Sequence, residues 1–293
     1  MKILHKGQIE ISGATVTALL LEQFPQYADL PLREYTATGT VNAIFRLGDS
    51  YYIRLPILKT FEAGLLKEYA LLPYLSKHIS IPIPKPMHLG RPNTIYPSHW
   101  AIYTWIDGDT AGADSSPAIV SALAGFINEL HSLKIPETAP KAGRKPLADL
   151  NAVTLSALEE SKNEISYKRT VSLWERLRET PAWDNKPVWI HGDLLKPNIL
   201  IKADRLAGIV DFGSAGIGDP AFDIIPAWTI FDSDRRRLFQ EAVNVCPAVW
   251  NRACAYALHQ AALIIPYYRK TNKPFAEQAI QTIREILLDY PEP

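Results

Sequence analysis

The stretch Val188-Trp189-Ile190-His191-Gly192-Asp193-Leu194-Leu195-Lys196-Pro197-Asn198-Ile199-Leu200-Ile201 decides how this chain is read. Two apolar, strand-like runs flank a polar loop that holds a histidine, an aspartate and an asparagine. Further on stands Gly208-Ile209-Val210-Asp211-Phe212-Gly213, where an apolar strand again delivers a carboxylate into a glycine-containing turn. Phosphoryl transfer from a nucleotide needs this set of groups: a base to orient a hydroxyl nucleophile, and oxygen ligands for hard Mg²⁺. Asp193 fits the base, and Asn198 and Asp211 fit the metal ligands. A carbonyl oxygen and a carboxylate suit Mg²⁺, whereas no Cys/His cluster suggests zinc.

Outward from these motifs, the chain divides into unequal halves. The first hundred residues read as strand-rich. Ala43–Leu47 and Tyr51–Leu55 are β-prone runs separated by Gly48-Asp49-Ser50, a hairpin turn, and Pro56 closes the second run. From Phe61 to Leu75 the spacing becomes helical, with Leu65, Tyr69, Leu72 and Leu75 recurring at three and four. The proline-laced Ile81–Pro86 must be extended, and Trp100–Ile106 is another strand, stopped by Asp107-Gly108-Asp109. That stop predicts a boundary between a small sheet-based lobe, 1–106, and a larger lobe, 107–293. Beyond it helices dominate. Pro117–Leu133 carries an amphipathic pattern with Pro117 near its start, Leu155–Leu177 continues helical, 188–210 returns to strands and loops, and helices resume from Ala221.

His-Gly-Asp-x-x-x-x-Asn followed by Asp-Phe-Gly resembles the aminoglycoside phosphotransferase family, the small-molecule branch of the protein-kinase-like fold. Gly192 stands where the protein-kinase motif H-R-D-x-x-x-x-N has arginine. The resemblance runs from about Gly39 to Tyr268. It implies a bilobal α+β fold, with a small antiparallel β-sheet N-lobe and a mainly helical C-lobe. It further implies ATP or GTP as co-substrate, Mg²⁺, and a small-molecule acceptor.

The remaining family parts fall on particular residues. A basic residue on the third strand should hold the α/β-phosphates with a helix glutamate bracing it. Here Tyr51–Leu55 offers Arg54 in place of the usual lysine, a planar bidentate group where lysine is a point charge. Glu68 is the first choice of brace and Glu62 the second, while Lys59 reads as a solvated surface residue. The phosphate-covering loop is expected at Thr38-Gly39-Thr40-Val41-Asn42, with Gly39, Thr40 and Asn42 as contacts; it has one glycine instead of GxGxxG. The nucleotide ring is expected against the hinge backbone, Tyr103, Thr104, Trp105 and Ile106. Asp223 corresponds to the family aspartate that supports the catalytic loop, and Asp219 before Pro220 reads as an N-cap. His191 and His131 read as structural.

Composition bounds the rest. Across 293 residues, Lys plus Arg equals Asp plus Glu at 31 each, so no global field recruits nucleic acid or an anionic membrane. No apolar run reaches the 18 residues of a spanning helix, and Met1–Lys6 lacks the apolar segment of a signal peptide. A cytoplasmic protein, monomer or weak homodimer, is expected. Cys246 and Cys254, eight apart, read as buried free thiols on one helix face.

The acceptor is less constrained. After Asp211-Phe212-Gly213 the chain reaches Gly218-Asp219-Pro220 within five residues, leaving no platform for a peptide. From Ser214 to Pro293 nine acidic residues face eight basic ones, so no acidic excess favours a polycationic aminoglycoside, although Asp219, Asp232, Asp234 and Glu241 would make a local cluster. Trp228, Phe231, Trp250, Tyr256, Tyr267 and Tyr268 would suit a macrolide or sugar, or simply a helical core. Two rivals stand beside the kinase: a nucleotide-binding regulator or pseudokinase, and a non-enzymatic helical interaction protein.

Overall fold

The turn at Gly48 forms as its residues dictate: Gly48 takes φ +57°, where a side chain would be strained, and joins two strands of a five-stranded antiparallel sheet. The protein is described by a computed structural model covering residues 7–35, 41–112, 115–183 and 186–291. Its chain divides into two units, one comprising 1–109 and 207–214, the other 110–206 and 215–293.

The first unit begins with helix α1 (Gly13–Gln23), which the strand-rich reading did not anticipate. A capping box starts it, with Ser12 Oγ accepting from Thr15 N–H and Thr15 Oγ1 accepting from Ser12 N–H. Strands β1 (Leu32–Tyr35), β2 (Asn42–Leu47) and β3 (Tyr51–Pro56) follow, then α2 (Glu62–Leu75), β4 (Pro86–Gly90) and β5 (Trp100–Thr104). The sheet order is β1-β2-β3-β5-β4. In β2 every second residue, Ala43, Phe45 and Leu47, is buried, as a half-covered strand requires. Central β3 is buried along nearly its whole length and runs through Pro56, which lies opposite Asn42. Ile53, Leu55, Trp100 and Ile102 pack with Val16, Leu19 and Leu20 of α1 in one apolar core. On α2 the buried positions are Leu65, Glu68, Leu72 and Leu75, a single helical stripe in which Glu68 is the charged member. Lys59 is exposed, as expected.

The second unit follows a two-residue strand, β6 (Asp109–Thr110). Helix α3 (Pro117–Ser132) has the apolar stripe read from its sequence and the expected proline in its first turn. The helix expected over 155–177 is two helices, α4 (Asn151–Glu160) and α5 (Tyr167–Leu177). Arg269 donates to the Glu160 carbonyl, capping the end of α4 where a continuing turn would otherwise be needed. Then come β7 (Val188–Ile190), β8 (Ile199–Lys202), β9 (Arg205–Ile209), whose last three residues belong to the first unit, and β10 (Gly216–Gly218). β7 pairs antiparallel with β10, and Lys141 bridges to Ile217 in parallel on the other side of β10.

Helices α6 (Pro226–Thr229), α7 (Ser233–Val243), α8 (Pro247–Tyr268) and α9 (Lys273–Asp289) complete the second unit. Trp228, Phe231, Trp250 and Tyr256 are buried, so most of the C-terminal aromatics are core. Cys254 is buried within α8, but Cys246 is exposed. Pro247 at the first helical position places Cys246 just outside the helix, and the shared buried face expected for the two thiols does not form. Among the described residues no helix is long and apolar enough to cross a membrane.

Candidate active site

The candidate residues form two groups, one in each unit. In the first, β3 carries Arg54 and the buried stripe of α2 carries Glu68, and the two side chains are ion-paired. Arg54 is 5% exposed and Glu68 fully buried. The second guanidinium nitrogen, Nη2, donates to Asp211 Oδ1 at 2.6 Å. Asn42 lies one diagonal step across the β2–β3 ladder. With its amide oxygen turned to the guanidinium, it accepts from Arg54 Nε at 3.0 Å and Nη2 at 2.9 Å. One arginine thus gathers Asn42, Glu68 and Asp211, a fork geometry that a lysine ammonium would not reproduce.

Asp211 adopts φ +66°, a left-handed backbone that costs a non-glycine residue free energy and clusters at functional positions. Gly213 lets this turn close: a Cβ there would come within 3.3 Å of Asp211 Oδ1 and 3.5 Å of Arg54 Nη2. Burial would lower the Arg54 pKa, but the charges of Asp211 and then Glu68 raise it, so the guanidinium stays charged. Burial pushes the Glu68 carboxyl up to about 7, and Asp211 adds to the rise while Arg54 opposes it. Among the described residues Glu68 Oε1 has no hydrogen-bond partner. Glu62, the second choice of brace, is committed elsewhere: it pairs with Lys59 at 2.8 Å and with His99 Nδ1 at 2.8 Å.

Of the hinge residues, Tyr103 is buried and stacked on Tyr52 with ring centroids 5.2 Å apart. Thr104 N–H donates to the Lys85 carbonyl and Trp105 N–H to the Ser50 carbonyl, so both amides are committed. Trp105 is held from its sides by Arg46 over its ring at 4.5 Å and by Asp107, which accepts from its indole N–H at 2.7 Å. Ile106 follows them in irregular backbone. Gly39 and Thr40 lie outside the described residues.

In the second unit the polar loop after β7 is held from beneath by Asp223, which is fully buried. One of its oxygens accepts from His191 N–H at 3.0 Å and from His131 Nε2 at 3.1 Å, and the other accepts from Gly192 N–H at 2.8 Å. Gly192 takes φ +75°, so the position that is arginine in protein kinases is here a turn that favours glycine. His191 Nδ1 accepts from Asp193 N–H at 3.3 Å, which places the imidazole inside the loop as an orienting group. Asn198 Nδ2 donates to the Asp193 carbonyl at 2.8 Å, with Asp193 Oδ2 at 3.4 Å. With its NH₂ spent on Asp193, the Asn198 amide leaves its oxygen as the group for a hard cation. An amide oxygen of this kind in the second unit, and a carboxylate such as that of Asp211 in the first, are each hard donors of the type Mg²⁺ takes. Among the described residues no group of three or more His, Cys, Asp or Glu side chains is arranged to hold a metal.

Asp219 does cap the turn at Pro220, accepting from Ala221 N–H at 2.9 Å, but it also takes Arg252 at 2.7 and 3.1 Å. Asp232 caps α7 and pairs with Arg235 at 3.0 Å. Two of the four carboxylates suggested as a local cluster, Asp219 and Asp232, therefore serve separate arginines, while Asp234 and Glu241 are exposed. The Arg252–Asp219 pair carried no local sequence signal, since its members lie 33 residues apart on different elements.

A model of the phosphotransferase enzyme family matches residues 36–256, and the chain belongs to that family. An aminoglycoside 3'-phosphotransferase of Escherichia coli is 26% identical over 183 residues, covering 59% of this chain and 65% of that protein. The uncharacterized protein YcbJ of Bacillus subtilis (strain 168) is 28% identical over 173 residues, 56% of this chain and 55% of that one. The chain thus spans between half and two thirds of the length of these curated relatives.

Among solved structures, the GDP and kanamycin complex of an APH(2") phosphotransferase superposes with a TM-score of 0.71 at 18% identity, covering 94% of this chain and 99% of that one. The macrolide 2'-phosphotransferase MphH of Brachybacterium faecium gives 0.57 at 19% identity, covering 94% and 99%. The fold is therefore the kinase-like α+β fold of these enzymes, with its antiparallel N-terminal sheet and helical C-terminal region.

Proposed function

We propose that the protein transfers the γ-phosphoryl group of ATP or GTP to a hydroxyl of a small molecule, an antibiotic such as an aminoglycoside or macrolide, or a metabolite. The observation that carries this reading is the convergence of Glu68, Asn42 and Asp211 on one buried cation, Arg54. A merely structural ion pair would not need the left-handed backbone at Asp211. Arg54 presents its guanidinium to the non-transferred phosphates, braced from behind by Glu68. Asn198 and Asp211 would hold Mg²⁺, which when bound neutralises charge developing on the phosphate oxygens. Asp193, fixed through Asn198, His191 and the Asp223-anchored backbone, accepts a hydrogen bond from the acceptor hydroxyl. As the new O–P bond forms and the bond to the leaving nucleoside diphosphate breaks, the hydroxyl proton passes to the Asp193 carboxylate. Orientation dominates in so loose a transition state.

Thermal unfolding tests the nucleotide half of this reading. Mg²⁺ with ATP or with GTP, at about a hundred times its Kd, should raise the midpoint by roughly 5 °C. Asp211→Asn should abolish the Mg²⁺-dependent part of the rise. No rise with either nucleotide would overturn the reading in favour of the helical interaction protein.

A further inference from the structure

The charge of Arg54 is met without Asn42. Glu68 is ion-paired with Nη1 and Asp211 with Nη2. Asn42 brings no charge, yet its amide oxygen takes the remaining edge of the guanidinium, accepting from Nε at 3.0 Å and from Nη2 at 2.9 Å. All four residues belong to the first unit. Carboxylates on the two terminal nitrogens still let the guanidinium plane swing about the line that joins them. An acceptor at Nε fixes that plane, because the five N–H groups of arginine lie in it. Asp211 moreover has a second task as a proposed Mg²⁺ ligand, so its hold on Nη2 is not permanent. Glu68 and Asn42 are the partners that stay.

The residue type fits this task. An aspartate at 42 would keep both bonds but add a third carboxylate beside the place where an anionic ligand is to be held. A lysine at 54 would end near the position of the guanidinium carbon, with no N–H edge for Asn42 to hold. The sequence position of Asn42 suggests a contact of the phosphate-covering loop, but it stands half-buried as the first residue of β2, opposite Pro56 on β3. We infer that Asn42 is a positioning residue, which acts on the nucleotide phosphates through Arg54, by fixing the plane of its guanidinium, and not by touching phosphate itself. The pair Asn42–Arg54 is then one device, and neither member works alone. The inference rests on the phosphotransferase reading given above and assigns a role within its nucleotide site.

The test is a double-mutant cycle of Asn42→Ala and Arg54→Lys. It is read by calorimetry of Mg²⁺ with ADP and with GDP, and by urea titration of the same four proteins. Asn42→Ala should weaken nucleotide binding about tenfold when Arg54 is present, and by less than about twofold in the Arg54→Lys background. If Arg54→Lys takes binding below detection, the urea titrations carry the cycle: Asn42→Ala should lower the midpoint beside Arg54 and leave it unchanged beside lysine. Asn42→Ser or Arg54→Gln replaces either variant that does not fold. Equal losses in the two backgrounds would make Asn42 independent of Arg54, as a direct phosphate contact is, and would overturn the inference. Wild-type affinity in Asn42→Ala, or in Arg54→Lys, would overturn it as well. A wild-type protein that binds neither nucleotide is a distinct result, which removes the phosphotransferase reading itself and the inference with it.

Discussion

Removing the Asp223 carboxylate should loosen the loop that carries Asp193. In Asp223→Ala, the N–H groups of buried His191 and part-buried Gly192 lose their acceptor, at 3.0 and 2.8 Å, above a position that is itself fully buried. Each buried donor left unsatisfied costs about 1–3 kcal/mol, and the loss of His131's contact adds a further fraction. The sum is about 3–5 kcal/mol, a large share of the roughly 5–15 kcal/mol by which a domain is stable. Asp223→Asn keeps one acceptor oxygen but turns an NH₂ toward the other donor, so it should fall between, at about 1–3 kcal/mol. Urea titration followed by circular dichroism gives both values, with the slope of the transition checking that the native state is otherwise intact. His131→Ala made in the Asp223→Ala background should then add almost nothing, because the pair is already broken. A loss below about 1 kcal/mol for Asp223→Ala would refute the reasoning, since the loop would then be held by something other than this carboxylate.

Two further outcomes follow from single side chains. A Cβ at Gly90 would lie 2.1 Å from Trp100, whose indole is fully buried, so Gly90→Ala should lower stability by at least about 1–3 kcal/mol in the same titration; an unchanged midpoint would contradict this packing. His259 is buried, with Nδ1 2.7 Å from Thr154 Oγ1, and burial followed by the charge of Arg144 lowers its pKa to about 4. The unfolded chain therefore binds the extra proton first, and stability is lost as pH falls below about 6.5, by about 2 kcal/mol at pH 5. Urea midpoints at pH 7 and pH 5 should differ by that amount in wild type and by clearly less in His259→Gln; equal differences would assign the acid sensitivity elsewhere.

Much of the fold was legible because it is written in local periodicity. The β2–β3 hairpin follows from alternation around Gly48, and α3 follows from an apolar stripe behind Pro117. Glu68 was named from the family pattern and not from periodicity, which put Tyr69 on the apolar stripe; in the structure the buried stripe is Leu65, Glu68, Leu72 and Leu75. The break between α4 and α5 was not legible, because Arg269, more than a hundred residues away, supplies the cap. Asp211 could be named from its motif, but its left-handed backbone and its bond to Arg54 could not be read from local pattern. The two residues are 157 apart and meet only through the fold of the first unit.

The most direct measurement is ³¹P NMR of the protein with Mg²⁺, nucleotide and a panel of hydroxyl acceptors, wild type beside Asp193→Ala. A phosphomonoester signal should appear with wild type only when an acceptor is present, and should be at least a hundredfold slower in Asp193→Ala at unchanged nucleotide affinity. Product formed by Asp193→Ala within threefold of wild type would contradict the role given to Asp193, and nucleotide bound but never consumed with any acceptor would make the protein a nucleotide-binding regulator instead.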